Sequence, residues 1–287
     1  MKISTILQQD KIHVSCEIFP PKQSGKLQQA EEVVRKLAVA RPDFISVTYG
    51  AGGSTKANTV RLTDVVQKHG VPALAHLTCV SSTKEMVRDT LEELRANHIE
   101  NVLALRGDLP QDGDLTVQQQ YRYASELVCE IRSQGDFCIG AACYPAGHLE
   151  SANRREDIAR LKEKVDCGCD FLITQMFFDN AVFYNFLYRI LAQDIRVPVI
   201  AGIMPVTNAK QIARICSLSG AVLSPRFSNM ADRFADDPAS MRQAGIAYAT
   251  EQIIDLISNG VRAIHIYTMN QPDVALKIFE NLSEIIK

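Results

Sequence analysis

The sequence predicts a (β/α)8 barrel with an extra helical insertion before its last strand, an α/β TIM-barrel class, and three observations carry that prediction. Short β-rich runs alternate with amphipathic helical stretches along all 287 residues. One polar or terminal residue at the end of each run gives Glu17, Thr48, Thr78, Asp108, Tyr144, Gln175, Met204 and Thr268. The steps between them are 31, 30, 30, 36, 31, 29 and 64 residues, six near-equal βα units and one of double length. The third observation is an asymmetry. The C-terminal ends of the runs are polar and rich in Gly and Pro, whereas the opposite ends carry plain turns such as Arg41-Pro42-Asp43 and Gly70-Val71-Pro72. An open doubly wound sheet is the runner-up, but it usually has fewer strands and a dinucleotide fingerprint near its start.

In order, strands are expected over Ile12–Phe19, Asp43–Tyr49, Pro72–Cys79, Asn101–Gly107, Phe137–Tyr144, Phe171–Phe177, Pro198–Met204 and Ala263–Thr268. Helices are expected between them, among others over Leu27–Ala40, Lys84–Asn97, Arg154–Val165 and Ala181–Gln193. Ser82-Thr83-Lys84-Glu85 can cap one of these and Gly168 can end another. The double-length interval should hold helices near Ala209–Ser219 and Ser240–Ser258. No linker or low-complexity stretch divides the chain, so residues 1–287 read as one domain.

Composition narrows the class. Hydrophobic residues make up 46% and charged residues 22%, enough apolar side chain for a packed core. The net charge of -2 gives no basic excess with which to bind nucleic acid or an anionic membrane. The N-terminal apolar run is too short for a signal peptide, and no run of about 18 apolar residues suggests a membrane span. A cytoplasmic location is expected. Most of the eight cysteines lie in apolar runs, so they read as buried free thiols. Cys167-Gly168-Cys169 is one residue too tight for a Cys-x-x-Cys motif, and the six histidines show no ligand spacing, so no metal is expected.

In a barrel of this kind the chemistry sits on loops at the C-terminal strand ends. The first strand alternates Val14, Cys16 and Ile18 with His13, Ser15 and Glu17, which puts the polar set in the barrel interior. Glu17 held there is desolvated, which raises its pKa and suits it to donate a proton; a strand-end Glu paired with Arg or Lys is the alternative. Arg106-Gly107-Asp108 is a candidate site turn or a local ion pair. His76, among apolar residues, reads first as a satisfied core histidine. Gly50 to Thr55 resembles a phosphate turn, but Thr55 stands at the third fingerprint position. Asp157, Arg160 and Lys164 share one helical face, a ligand face or a solvated one. No Lys ends the sixth strand and no carboxylate pair stands out, which disfavours a Schiff-base aldolase and a glycosidase. One acid among neutral polar groups fits redox or group-transfer chemistry.

These segments also carry a family resemblance. Glu17-Ile18-Phe19-Pro20-Pro21, Ser46-Val47-Thr48-Tyr49-Gly50-Ala51, His76-Leu77-Thr78-Cys79, Leu105-Arg106-Gly107-Asp108, Ala142-Cys143-Tyr144-Pro145 with His148, Ile173-Thr174-Gln175, Gly202-Ile203-Met204-Pro205 and Tyr267-Thr268-Met269-Asn270 resemble methylenetetrahydrofolate reductases. The likeness runs in order along essentially the whole chain and is closest to the bacterial type, a catalytic barrel alone.

The resemblance implies FAD as cofactor. It also implies reduction of 5,10-methylenetetrahydrofolate to 5-methyltetrahydrofolate by a ping-pong route from NADH or NADPH, or from a partner electron-donor protein. That activity serves one-carbon metabolism and methionine supply. By the same resemblance Glu17 is the general acid and Asp108 lies by the flavin and the pterin, where its charge disfavours an anionic reduced flavin. Thr48, Tyr49, Ala51, His76, Arg106, Gly107, Asp108, Ala124, Tyr144 and His148 match flavin contacts, while Asp157, Arg160 and Lys164 lie on the helix by the cofactor's ribose and phosphates. Glu17, Asp108, Gln175, Gln211 and Gln271 match substrate positions. Gln271 stands where the family often has Arg, and Ile215 where relatives can have an aromatic ring. A homo-oligomer is implied too. The alternatives are a flavin-free folate-binding methyltransferase barrel and a non-catalytic barrel subunit.

Overall fold

The protein is described by a computed structural model covering residues 1–21, 27–49, 54–80, 82–108 and 120–287. Eight parallel strands close a barrel in chain order. They are β1 (His13–Ile18), β2 (Ile45–Val47), β3 (Ala73–Thr78), β4 (Asn101–Leu105), β5 (Cys138–Cys143), β6 (Phe171–Thr174), β7 (Val199–Ile203) and β8 (Ala263–Tyr267). Each lies inside its expected run. Closure is made by β8 against β1, where Ser15 faces His265 and Glu17 faces Tyr267 in register.

Around the barrel run α1 (Ile3–Ile6), α2 (Leu27–Val39), α3 (Ser54–Lys68), α4 (Lys84–Ala96), α5 (Ala124–Ser133), α6 (Arg154–Asp166) and α7 (Asn180–Leu191). The double-length interval holds a 3-10 turn (Ala209–Gln211), α8 (Ile212–Ser219), α9 (Pro225–Phe234) and α10 (Pro238–Ser258), and α11 (Pro272–Leu282) follows β8. Helix α9 was not expected, although Ser224-Pro225 is a capping signal: the Ser224 side chain accepts from the Phe227 amide and Pro occupies the first turn. Thr83 caps α4 by accepting from the Met86 amide. Gly168, at φ +102°, follows α6.

The outward side chains of the strands, such as Val14, Cys16, Ile45, Val102 and Ile264, are buried under the helices in two large apolar clusters. The inward ones fill the barrel. At its N-terminal end Ile3, Ile6 and Leu7 plug the lumen against Phe44, Leu74, Leu103 and Phe171. Asn101 secures that plug, accepting from the Ile3 amide at 2.8 Å and donating to the carbonyls of Met1 and Ala73. Above it, His265 lies 2.7 Å from the Ser15 hydroxyl and 3.2 Å from that of Ser46, so this buried imidazole is satisfied on both nitrogens. Polar side chains therefore rise through the lumen toward the C-terminal mouth.

The cysteines depart from expectation at one pair. Cys129 on α5 and Cys167 after α6 form a disulfide, with Cα atoms 5.0 Å apart. Cys129 is exposed and Cys167 half-buried, because each falls on the helix-to-helix side of its segment and not on the barrel side. The other six are free, and Cys16, Cys79, Cys138, Cys143 and Cys169 are buried as expected. No helix among the described residues is long and apolar enough to cross a membrane.

Candidate active site

The mouth is built from the last residues of the strands. Glu17 is 8% exposed, and Oε2 of its carboxyl stands 3.7 Å from Nε2 of His76, on β3. That nitrogen is buried and has no hydrogen-bond partner among the described residues. Burial pushes the Glu17 carboxyl up to about 8 and the His76 imidazole down to about 3. At neutral pH the pair is therefore a carboxylic acid beside a neutral ring, not an ion pair. The polar interior expected for strand one is observed for Ser15 and Glu17, whereas His13 turns to Asp43 and the Gln9 carbonyl at the lower end.

The Glu17 backbone is clamped from β8. The Thr268 hydroxyl donates to the Glu17 carbonyl at 2.6 Å. The Asn270 amide accepts from the Phe19 amide at 2.8 Å and donates to the Phe19 carbonyl at 3.0 Å. Tyr267 completes this wall: its hydroxyl donates to the Thr174 carbonyl at 2.5 Å, and burial next to Glu17 pushes its pKa well up. Its ring is admitted by Gly202, where a Cβ would stand 2.4 Å from the Thr174 carbonyl oxygen and 2.6 Å from the ring. Tyr267 and the clamp by Asn270 were not singled out from sequence as site residues. The polar run after β8 was the available signal.

Other expected residues gather on the β2–β6 side. Thr48 and Tyr49 end β2 half-buried, and burial raises the Tyr49 phenol. Arg106 does not pair with Asp108; its guanidinium makes two 2.5 Å hydrogen bonds to Glu150. Asp108 is exposed, two residues beyond Arg106 across Gly107. Tyr144 and His148 meet edge to face at 4.6 Å, and burial pushes Tyr144 up to about 12 and His148 down. Ala124 opens α5 half-buried. Gln175 follows β6, its backbone N–H donating to the Cys143 carbonyl at 2.7 Å and its side-chain oxygen accepting from the Met176 backbone N–H at 3.0 Å.

The three residues of the α6 face take separate partners. Lys164 is half-buried and donates to the Ala142 carbonyl at 2.6 Å, and desolvation lowers its pKa. Asp157 accepts from Ser151 at 3.2 Å and is raised by burial. Arg160 pairs with Glu163 and lies 4.6 Å over the Tyr123 ring. His148, Ser151, Asn153, Arg154 and Asp157 line a cavity of about 200 Å³ at the N-terminus of α6. Arg154 in that wall was missed from sequence. Gln211 is exposed at the head of α8, and Ile215 packs against a satellite apolar cluster with Met204 and Val206. Gln271 follows β8, accepting from Arg242 at 3.3 Å. Ala51 and the Gly50–Gly53 turn lie outside the described residues.

The sequence profile described as methylenetetrahydrofolate reductase matches residues 2–283. The chain belongs to this family. It is an oxidoreductase by that membership. The 5,10-methylenetetrahydrofolate reductase of Pectobacterium carotovorum is 32% identical over 275 residues, covering 96% of this chain and 91% of that protein. Methylenetetrahydrofolate reductase 1 of Schizosaccharomyces pombe is 35% identical over 291 residues; the match spans 98% of this chain but 48% of that longer protein. Among solved structures, a Clostridium thermocellum protein described as binding two copies of 5-methyl-5,6,7,8-tetrahydrofolic acid superposes with a TM-score of 0.70 at 13% identity, covering 99% of this chain and all of that one. At that identity the likeness speaks for the fold alone. Among the described residues, this family member thus keeps a buried acid, Glu17, at the mouth of a closed barrel beside His76, Tyr267 and Thr268.

Proposed function

We propose that this chain, one FAD-binding barrel, reduces 5,10-methylenetetrahydrofolate to 5-methyltetrahydrofolate with a reduced nicotinamide as donor. The observation that carries the reading is Glu17, a carboxyl buried at the mouth of a family barrel, where desolvation pushes it up to about 8. A buried acid with a pKa near 8 is matched to giving up that proton to a substrate nitrogen near neutral pH. In this reading it protonates the leaving ring nitrogen, so that the five-membered ring opens to a cation able to accept reducing equivalents. Thr268 and Asn270 hold the strand segment that aims the carboxyl. Burial keeps it neutral, and His76, whose own pKa burial lowers, faces it as a neutral ring.

The residues present fit a flavin dinucleotide. The cavity beside α6 offers the Arg154 guanidinium and helix N-terminal amides for phosphate, and the Asp157 carboxylate for ribose hydroxyls. Thr48, Tyr49, His76, Gly107, Ala124, Tyr144 and His148 supply neutral donors, ring faces and backbone along the strand ends toward the mouth, and Arg106 adds a guanidinium held by Glu150. Bound there, the group would carry reducing equivalents between nicotinamide and folate in two half-reactions. Asp108 adds an exposed negative charge at the same rim, and Gln175 and Gln211 are neutral amides suited to a pterin or a nicotinamide.

The test is an absorbance spectrum of the purified protein, followed anaerobically by NADH or NADPH and then by methylenetetrahydrofolate. Bleaching of bound flavin by the nicotinamide and recovery on folate is the expected result. Flavin that ignores both nicotinamides yet is reoxidised by folate after chemical reduction would assign the donor role to a partner protein. A colourless protein that stays inactive with added FAD would overturn the reading in favour of a methyltransferase or a non-catalytic barrel.

A further inference from the structure

At the rim between β7 and β8 a half-buried cation, Arg242, is held by neutral groups. Arg242, in the first turns of α10, donates through Nη1 to Oε1 of Gln271 at 3.3 Å, and Gln271 also accepts from the Thr207 hydroxyl at 3.5 Å. Among the described residues its guanidinium has no carboxylate partner. Packing enforces this placement. Gly245 lies one turn along α10, where a Cβ would stand 1.9 Å from the Val206 carbonyl oxygen, so the helix rests directly on the segment after β7. That close approach brings Arg242 over Thr207 and Gln271. The patch is also tied to the acid: Gln271 follows Asn270, whose amide grips Phe19, two residues beyond Glu17.

A guanidinium that has lost part of its water to a neutral amide oxygen is only partly compensated. Its five donors in a planar fork match a carboxylate, and a bidentate carboxylate would replace the single long bond to Gln271. The rim offers a hydroxyl and an amide beside it, which can complete the grip.

We propose that Arg242 binds a glutamate carboxylate of the folate tail and so sets the preference for a substrate with an anionic tail. This rests on the folate reading above. Gln271 then acts as a neutral partner that holds the guanidinium at the rim until the carboxylate displaces it.

The experiment measures dissociation constants of the holoenzyme for 5-methyltetrahydrofolate and for its diamide, in which both glutamate carboxylates are carboxamides. R242Q should weaken the dicarboxylate about tenfold and the diamide far less, the scale of one lost charge-assisted hydrogen bond. R242K should lie between, and adding Gln271→Arg to R242Q should restore the preference from the neighbouring position. Independently of any variant, the wild-type preference for the dicarboxylate should shrink as salt rises. Equal weakening of both ligands, no weakening of either, or a preference indifferent to salt would overturn the assignment while wild-type turnover left the folate reading intact. Wild-type protein that binds neither ligand would overturn both.

Discussion

Nε2 of His76 and Oε2 of Glu17 lie 3.7 Å apart across the barrel mouth, and at neutral pH neither carries a charge. Distance alone suggests an ion pair. Burial decides otherwise, since a charge on either group would lose its hydration while the 3.7 Å gap is too long for a hydrogen bond to compensate. The acid keeps its proton for chemistry, and the ring keeps a buried nitrogen free to take a partner at the mouth.

Glu17→Gln keeps the shape and removes the transferable proton. Flavin content and its reduction by the donor should persist, while the folate half-reaction falls by about 10²- to 10⁴-fold. Single-turnover absorbance measurements of the two halves check this. Equal loss of both halves with flavin still bound would refute the role assigned to Glu17.

The same group imposes a pH dependence. The folate half-reaction should fall about tenfold per pH unit above about 8, where Glu17 ionises, and the donor half-reaction should lack that limb. A folate limb that survives unchanged in Glu17→Gln would assign it to another group.

Stability should respond as well. Glu17 titrates at about 8 in the fold against 4.5 ordinarily, and His76 and His265 at about 3 against 6.5. Between pH 6.5 and 8 the folded chain holds a proton on Glu17 that the unfolded chain has released, so stability falls as pH rises. Between 4.5 and 6.5 the unfolded chain holds two histidine protons against one on folded Glu17, so stability falls as pH drops. These three groups thus place a maximum near pH 6.5, with slopes on the order of 1 kcal/mol per pH unit. Denaturant midpoints across pH check it, and Glu17→Gln should flatten the alkaline side.

Gly202→Ala tests the wall beneath Tyr267. The added Cβ meets a backbone carbonyl at 2.4 Å and the ring at 2.6 Å, neither of which can yield freely. A loss of about 1–3 kcal/mol is expected, typical of overpacking a filled interior. Unchanged stability would mean that the ring swings aside, and a near-ultraviolet signal from Tyr267 would then report it.

The Cys129–Cys167 disulfide joins α5 to α6 across 38 residues. Reductant, or Cys129→Ser, should lower stability by about 2–4 kcal/mol on chain-entropy grounds. A thiol count of eight in the unreduced protein, with no effect of reductant, would show that the bond does not form in solution.

The barrel was legible because its cause is local. A strand buried on both sides must be apolar, a crossover helix must be amphipathic, and the pair takes about 30 residues, so the steps from Glu17 to Met204 reveal each unit without any long-range information. The polar strand ends were legible for the same reason, because a lumen that opens to a ligand cannot be closed with Val and Ile. Contacts that depend on what lies across the barrel were not. Arg106 chose Glu150 over the nearer-in-sequence Asp108, Arg160 took Glu163 and the Tyr123 ring, and Cys129 found Cys167 because the helices of neighbouring βα units pack side by side. The charge state of Glu17 belongs to both levels. Strand alternation set it inside the barrel, but its proton is retained because closure of β8 on β1 and the approach of His76 bury the carboxyl, and among the described residues they bring neutral groups to the place where it ends.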